Sequence, residues 1–367
     1  MKEKIIVGII GTGQIGKAHI NKYQTIPDVN IAAVCDINQT EAKKVAEEYN
    51  IPMVFSDFRE LLKVKEIDAV DICLHNNLHA PVAITAMEAG KDVYCEKPLA
   101  GSYIDALKMV ETSKKTGRKL SMQLHSLFTN ETVAAKKIIE ENLPGRIYYV
   151  KSSFYRRRGR PFIDGYGTSS FVKKEIAAGG ALLDMGVYHI CQVLYLIGNP
   201  EVVSISGKTF QETPMYEDRK MISGYNVEEF AVGLVRFKGD ILFFIEEAWA
   251  INLGNAEGIK IAGSKGGLTL YPFTFHTTLA DMELNASFDI EGARTRWNRI
   301  DPLQSGYESP QHHWIAALKE TIPLIDTAEL GLNMMLISEG IYLSNKLGRE
   351  VSVEEIKRSS VSTAQSI

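Results

Sequence analysis

A glycine-rich run stands directly behind the first apolar segment of the chain. Gly11, Gly13 and Gly16 follow the apolar run Ile5–Ile10. In a βαβ unit the first glycine permits a tight turn, the second lets the backbone approach a pyrophosphate, and the third lets the helix pack closely on the strand. The helix that follows offers free N–H groups and the positive end of its dipole to a phosphate. The spacing therefore predicts a dinucleotide-binding unit.

An acidic residue after the second apolar run indicates which nucleotide is preferred. Asp36 lies 20 residues after Gly16 and is followed by Ile37 rather than by arginine. An acid at this place accepts hydrogen bonds from the ribose hydroxyls and repels a 2′-phosphate. We therefore predict NAD in preference to NADP. The alternative is that Asp36 only starts a turn and caps the next helix.

The order of apolar runs predicts two domains in this chain of 367 residues. Strand-like and helix-like segments alternate through residue 124, a pattern typical of a doubly wound parallel sheet. We expect a nucleotide-binding domain of the Rossmann type over residues 1–124. Residues 125–367 would form an α/β domain for substrate binding and self-association, built on a large, open, mostly antiparallel sheet.

Two helices of the second domain are expected from the same patterns. Gly179 and Gly180 lead into a helical run from about Leu182 to Leu196. A long helix over Thr327–Leu347 is a candidate for packing back on the first domain. The polar tail after Val353 is expected to fray.

Composition limits the partners that we expect. Lysine and arginine number 41 against 45 acids, for a net charge of −4, which gives no indication of a nucleic-acid or membrane partner. The four cysteines lack metal-ligand spacing, and no apolar run approaches the roughly 18 residues of a membrane span. The first residues pass into a strand without a signal-peptide pattern. We therefore expect a cytoplasmic protein.

Four residues are candidates for chemistry. Lys97 follows a strand at the carboxyl edge of the predicted parallel sheet, where ligands bind in such folds. Partial burial beside a positively charged nicotinamide would lower the pKa of this lysine. Asp184 and Tyr188 would share one face of the predicted helix, with His189 about 100° further round. Such a group suits removal of hydride from a secondary alcohol, which needs a base on the hydroxyl proton. A structural interpretation remains open, with Asp184 as a cap and His189 as a core histidine.

Motifs along nearly the whole chain make it resemble the Gfo/Idh/MocA oxidoreductases. They are the glycine motif, Glu96-Lys97-Pro98, the run GGALLDMG at 179–186 and the run LSNKLGREV at 343–351. The resemblance implies catalytic roles for Lys97 and Asp184, and an enzyme that oxidises or reduces sugars or cyclitols with a pyridine nucleotide as a homo-oligomer, a dimer or a tetramer. Together with the glycine motif it implies these cofactor contacts: Gly11, Thr12, Gly13, Gln14, Ile15, Asp36, Ile37, Leu74, His75, Asn76, His79, Glu96 and Lys97.

Two departures from the family pattern bear on the site. Many members carry histidine four residues after the aspartate, where this chain has Tyr188, with His189 one place later. Members of the glucose-fructose oxidoreductase type carry tyrosine there, so either residue is a candidate proton-transfer partner. Leu74-His75 replaces the usual Thr-Pro, and His75 with His79 has a spacing that could suit a metal. No neighbouring glutamate completes a zinc motif, and we predict no metal site.

We predict an NAD-dependent dehydrogenase that acts on a secondary hydroxyl of a sugar, glycoside or inositol-like cyclitol. The substrate contacts expected are His125, Arg156, Arg157 and Tyr166, although solvated loop residues are an equal alternative. Two other classes remain open: a glycoside hydrolase of the same fold that retains NAD, and a non-catalytic sensor that binds nucleotide. Hydrolases of this kind usually lack the lysine of Glu-Lys-Pro, so Lys97 argues against them.

Overall fold

The computed structural model describes residues 3–367 and places six parallel strands in a first sheet. Across the sheet the strands run in the order β3-β2-β1-β4-β5-β6, so the chain winds outward from β1 in both directions. The predicted doubly wound sheet is confirmed. The strands are β1 (Ile5–Ile10), β2 (Val29–Cys35), β3 (Met53–Phe55), β4 (Ala69–Ile72), β5 (Asp92–Cys95) and β6 (Leu120–Met122).

Five helices connect these strands. Apolar strand residues such as Val7, Ile9 and Val70 are fully buried beneath them, as expected for a sheet covered on both faces. The helices are α1 (Gln14–Gln24), α2 (Gln39–Tyr49), α3 (Phe58–Leu62), α4 (Asn76–Glu88) and α5 (Tyr103–Thr116).

The second sheet has nine strands, in the order β14-β13-β12-β11-β7-β10-β9-β8-β15. Its pairs are antiparallel except for β7 and β10, which run parallel. The predicted large and mostly antiparallel sheet is confirmed. Its strands are β7 (Ile147–Tyr155), β8 (Val202–Phe210), β9 (Phe230–Phe237), β10 (Ile241–Ala248), β11 (Gly258–Gly263), β12 (Gly266–Thr269), β13 (Thr274–Leu279), β14 (Met282–Ser287) and β15 (Val351–Ser352).

The predicted single helix over 182–196 is wrong. The chain forms a short helix, α8, and a second helix, α9, separated at Met185, and the whole segment Lys174–Asp184 makes an angle of 51° with α9. The Tyr188 N–H donates to the carbonyl of Met185, three residues back, rather than to that of Asp184. The break therefore frees one helical carbonyl for another partner. The helices after β6 are α6 (Asn130–Glu140), α7 (Lys174–Ala177), α8 (Ala181–Asp184), α9 (Gly186–Ile197), α10 (Glu217–Ser223), α11 (Ile290–Ile300), α12 (Pro310–Leu318), α13 (Thr327–Leu347) and α14 (Val353–Ser359).

Late elements of the chain pack on the first sheet. Trp314 and Ile315 of α12 are buried in the same apolar cluster as Val7 and Ile9. At the start of α13 the Thr327 hydroxyl accepts the N–H of Met122 at 2.7 Å. The other end of α13 lies on the nine-stranded sheet, where a Cβ added at Gly233 would come within 2.5 Å of Ile341. Thus α13 contacts both sheets.

The predicted fraying after Val353 is also wrong. Ser352 and Glu355 form a capping box at the start of α14. Beyond this helix the Asp105 carboxylate accepts the Ser362 hydroxyl at 2.6 Å and the Thr363 N–H at 2.8 Å. The tail is therefore held on the first domain by defined hydrogen bonds.

Among residues 3–367 no single helix is long and apolar enough to span a membrane. One bent pair, Lys174–Asp184 with Gly186–Ile197, meets the length and composition criteria only when its two parts are taken together.

Candidate active site

The glycine turn after β1 leaves an open surface at one position and close contacts at two others. Gly11 has φ of +100°, and a Cβ there would lie 2.3 Å from the carbonyl oxygen of Cys73. A Cβ at Gly16 would lie 2.1 Å from the carbonyl oxygen of Gly11. At Gly13 a Cβ would meet nothing within 4 Å. This cradle fits a pyrophosphate that approaches the backbone at Gly13 and the start of α1.

Asp36 lies beside this turn. Its carboxylate accepts the Thr12 N–H at 2.8 Å and the Asn38 N–H at 2.9 Å. Two apolar side chains are exposed in this region: Ile15 on α1 by 48%, and Ile37, next to Asp36 in sequence, by 94%. Their predicted contacts with the ribose and base of a nucleotide stay predictions.

The loop after β4 is held by its own polar groups. His79 is fully buried, and its two ring nitrogens lie 2.7 Å from the carbonyl oxygen of Pro98 and 3.1 Å from that of Leu74. Burial lowers the pKa of His79 despite these contacts. His79 thus has a structural role in this loop, with both ring nitrogens near carbonyl oxygens, and its predicted contact with the cofactor stays a prediction. The Asn76 amide donates to the carbonyl of Ala177 at 2.9 Å and so connects α4 with α7. His75, beside it, is exposed.

Lys97 meets Asp184 at the break between α8 and α9. The Lys97 Nζ donates to Asp184 Oδ1 at 2.7 Å and to the main-chain oxygen of Asp184 at 3.0 Å. That main-chain oxygen is the one left free by the bend of the helix. The two side chains are only 15% and 22% exposed. The pair predicted from the sequence is therefore brought together, but by a broken helix rather than by a continuous one.

Lys97 and Asp184 each stabilise the charged form of the other. Burial favours the neutral forms of both groups, but the attraction between them outweighs it. The pKa of Lys97 is raised by Asp184, Tyr188 and Glu96, and the pKa of Asp184 is lowered by Lys97 and by the indole of Trp249. Among the protein's own groups the pKa of Lys97 is thus raised, and the lowering expected beside a bound nicotinamide stays a prediction.

Glu96, predicted to contact the cofactor, faces inward. Its carboxylate accepts the Lys97 N–H at 2.9 Å and lies 2.9 Å from Nε2 of His19, whose Nδ1 lies 2.9 Å from Asp71. Burial opposes the charge on His19, but Asp71 and Cys73 outweigh it and raise the pKa of His19 well above its usual value. His19, Asp71 and Cys73 also have the grouping of potential metal ligands. With both its nitrogens already facing carboxylates, His19 holds Glu96, and Glu96 holds the turn that carries Lys97.

The ring of Tyr188 lies close to both Lys97 and His125. Its ring centre is 5.0 Å from Lys97 Nζ and 4.4 Å from the centre of the His125 ring. Burial raises the pKa of Tyr188 to about 12, although Lys97 acts in the opposite direction. Desolvation, with the charges of His189 and Lys97, lowers the pKa of His125. At neutral pH the site thus holds a neutral phenol beside a neutral imidazole.

His189 is fixed by two neighbouring strands. Its ring stacks on Phe154 of β7 at 3.5 Å between centres and 11° between planes. Its Nδ1 lies 3.0 Å from both carboxylate oxygens of Glu247, which is fully buried on β10. Burial raises the pKa of Glu247, while His189 and Ser152 act against it.

Three of the residues that shape the site were not found by sequence reasoning. Trp249, fully buried, donates its indole N–H to Asp184 Oδ2 at 3.0 Å. The Glu228 carboxylate accepts the N–H of Gly180 at 2.9 Å and that of Leu182 at 3.1 Å, which caps α8. The third is Glu247. The available signal was the acidic residue Glu247 within the apolar run that forms β10, because a charged group on a buried strand needs a partner.

The predicted substrate residues divide into two groups. Arg156 donates to the Tyr166 hydroxyl at 2.9 Å. Burial raises the pKa of Asp184, and Lys97 lowers it; the charge of Arg156 has a smaller effect that also lowers it. His125 contacts the ring of Tyr188, whose centre lies 5.0 Å from Lys97 Nζ. Arg157 instead donates to the carbonyl of Leu253 at 3.2 Å. Arg160 anchors the loop. It is fully buried and forms ion pairs with Asp164 at 2.9 Å and with Glu229 at 3.0 Å.

Two family models match the chain. The one described as an oxidoreductase family with an NAD-binding Rossmann fold matches residues 5–124. The one described as the GFO/IDH/MocA C-terminal domain matches residues 132–269. The two matches together cover more than half of the chain and include Lys97, Asp184 and Glu247.

Characterised proteins resemble the chain over most of its length. The D-glucoside 3-dehydrogenase of Escherichia coli strain K12 is 30% identical over 279 residues, or 74% of this chain and 78% of that protein. The myo-inositol 2-dehydrogenase of Thermotoga maritima is 24% identical over 95% of this chain and 99% of that protein. A solved levoglucosan dehydrogenase in complex with NADH and levoglucosan has a TM-score of 0.76 at 22% identity, covering 95% of this chain and 99% of its own. The last likeness confirms the fold.

Proposed function

The chain belongs to the Gfo/Idh/MocA family of NAD-binding oxidoreductases, and we propose that it transfers hydride between NAD and a secondary hydroxyl of a sugar, glycoside or cyclitol. The observation that carries this proposal is the buried Lys97–Asp184 pair at 2.7 Å, at the carboxyl edge of the nucleotide-binding sheet. Relatives that act on glucosides and inositols support the substrate class. A homo-oligomeric state and a cytoplasmic location belong to the same proposal as expectations from the sequence.

The first domain would hold the cofactor at the glycine turn. The backbone at Gly13 and the first N–H groups of α1 would face the pyrophosphate, and Asp36 the ribose. Bound there, NAD supplies a hydride acceptor, while this chain's residues orient the alcohol and manage its proton.

Lys97 and Asp184 act on the substrate oxygen as a pair. The Lys97 ammonium donates a hydrogen bond to the reacting oxygen and stabilises negative charge as its proton leaves. Asp184 holds the ammonium in place and is itself held by Trp249. Because the attraction within the pair keeps Lys97 protonated, the proton acceptor must be another group: Tyr188 and His189 are the candidates.

A spectroscopic assay tests the proposed function. Purified protein with NAD and a panel of inositols, aldoses, glycosides and sugar acids is expected to form NADH, seen as new absorbance from the reduced nicotinamide, with at least one substrate. The control is the same panel with NADP, for which we expect a weaker signal. Silence across the panel, with NAD binding confirmed by titration, would contradict the proposal and favour an NAD-retaining hydrolase or a sensor.

Replacing Asp36 tests the choice of cofactor. We expect Asp36→Ala to raise the Kd of NAD roughly tenfold, because a charged hydrogen-bond acceptor for the ribose is lost, and to bring the Kd of NADP closer to it. Fluorescence titration of the reduced nucleotides gives both constants. Glu60→Ala is the control, since Glu60 lies on α3 with an exposed side chain that pairs with Lys63 at 2.6 Å. An unchanged ratio of the two constants in Asp36→Ala would refute the assignment.

A further inference from the structure

We propose that His189 is the catalytic proton acceptor of this enzyme and that Glu247 positions it. This inference rests on the proposed hydride transfer and chooses between the two acceptors that the sequence left open. The pair of Glu247 with His189 joins β10 to α9 across 58 residues of sequence.

The two strands behind His189 restrict its ring in different ways. Phe154 on β7 and Glu247 on β10 are direct partners in the parallel register. The stacked ring of Phe154 sets the plane of the imidazole, and the Glu247 carboxylate sets its rotation within that plane. Space for the carboxylate exists because residue 186 is glycine: a Cβ there would lie 3.2 Å from Cγ of Glu247. The imidazole is thereby held in one orientation.

The carboxylate also selects the tautomer. When the Glu247 carboxylate is ionised it only accepts hydrogen bonds, so the proton of the neutral ring then lies on Nδ1 and the lone pair on Nε2. Nε2 has no hydrogen-bond partner among residues 3–367, and the side chain is 17% exposed, on the same helix as Tyr188. A carboxylate behind an imidazole stabilises the imidazolium that forms when Nε2 takes a proton.

The other candidates are less suited to accept a proton at neutral pH. The phenol of Tyr188 would first have to ionise, and its pKa is raised to about 12 by burial. Lys97 is already protonated through Asp184. His125 contacts Tyr188, but it lacks a carboxylate partner among the described residues. His189 alone combines a ring nitrogen without a partner with a buried carboxylate behind the ring.

The resulting step balances. The carbon–hydrogen bond breaks, and its electron pair leaves with the hydrogen as hydride to NAD. The oxygen–hydrogen bond breaks, its proton moves to Nε2 of His189, and the electrons it leaves on oxygen form the carbonyl bond. The products are ketone, NADH and imidazolium, which then releases its proton to solvent. Lys97 stabilises the oxygen throughout.

The test compares five single variants for kcat, KM and the pH profile of kcat/KM. The matched control is Glu246→Gln, because Glu246 lies on the opposite face of β10 with Ser153 at 2.9 Å and Lys151 at 3.4 Å. A second readout is the tautomer of His189, measured by nitrogen NMR of histidine-labelled protein. Titration with NADH shows that each variant is folded. The variants are His189→Asn, Glu247→Gln, Glu246→Gln, Tyr188→Phe and Lys97→Met.

We expect His189→Asn to lower kcat by roughly 10²- to 10⁴-fold, the usual value of an acid–base group. Glu247→Gln is expected to lower kcat roughly 10- to 100-fold and to mix the tautomers of His189. The pH profile of its kcat/KM should differ from that of Glu246→Gln, because the contact of His189 Nδ1 with an anionic carboxylate is lost while His125, Lys97 and Asp184 still face the site. Glu246→Gln should stay within about twofold of the unmodified protein.

Two outcomes would overturn the proposed roles of His189 and Glu247, and a third would overturn the proposed hydride transfer. If Tyr188→Phe loses more turnover than His189→Asn, the phenol is the acceptor and the dyad is wrong. If Glu247→Gln matches Glu246→Gln in pH profile and tautomer, Glu247 is only structural. If Lys97→Met keeps full turnover, the proposed hydride transfer itself fails, whatever the other variants show.

Discussion

Lys97→Met is expected to lower kcat by roughly 10³-fold or more while the Kd of NAD changes little. The substitution removes the ammonium that meets Asp184 at 2.7 Å, so the substrate oxygen loses its charged donor in a largely buried site. Methionine has similar length and keeps the apolar packing of the stem. Steady-state kinetics with the substrate found in the panel, together with NADH titration, separates the two effects.

Lys238→Met is the control for this change. Lys238 lies at the end of β9, 76% exposed and paired with Glu201, far from the site in its sheet. It should leave kcat and the Kd of NAD unchanged. A loss of less than tenfold in Lys97→Met would contradict the assigned role of the ammonium. A large rise in the Kd of NAD would instead point to a role in holding the cofactor.

Gly180→Ala is expected to lower the free energy of unfolding by about 3 kcal/mol, at the upper end of overpacking effects. A Cβ at this place would lie 1.9 Å from the carbonyl oxygen of Glu228, which is main chain and cannot turn aside. The same residue donates its N–H to the Glu228 carboxylate, so any shift also moves the cap of α8. Because Asp184 ends α8, turnover should fall with stability.

Gly254→Ala is the matched control, since a Cβ at Gly254 would meet nothing within 4 Å. We expect its unfolding free energy to stay within about 0.5 kcal/mol of that of the unmodified protein. Urea denaturation followed by tryptophan fluorescence measures both variants. Equal stabilities for the two would show that the backbone around Glu228 adapts, and that the tight contact at Gly180 does not govern α8.

Local rules were sufficient for the first domain and for the position of Lys97. The spacing of Gly11, Gly13 and Gly16 follows from steric limits that act within one turn, and the structure has the same close contacts. Strand β1 at Ile5–Ile10 and helix α13 at Thr327–Leu347 begin and end where the sequence predicted. Continuous apolar runs and helical periodicity carry such information because each depends only on near neighbours.

The break between α8 and α9 could not be predicted from local patterns. Periodicity continues from Leu182 through Leu196, yet the Asp184 carbonyl bonds Lys97 instead of Tyr188. The competing partner lies 87 residues away in sequence, so no local pattern could reveal it. The expectation for the Lys97 pKa considered the cofactor's charge without the aspartate that the fold places against the lysine.

The sequence alone determined the nucleotide-binding turn, because the turn obeys short-range sterics. It also determined the candidate residues of the site, because the family motifs that contain Lys97, Asp184, Tyr188 and His189 are contiguous. The roles within that group depended on tertiary structure. Glu247 reaches His189 because the pairing of β10 with β7 sets its register, and Trp249, one residue after the end of β10, reaches Asp184 across 65 residues of sequence. Such contacts arise from the packing of distant segments, where direction and distance are set by the whole fold.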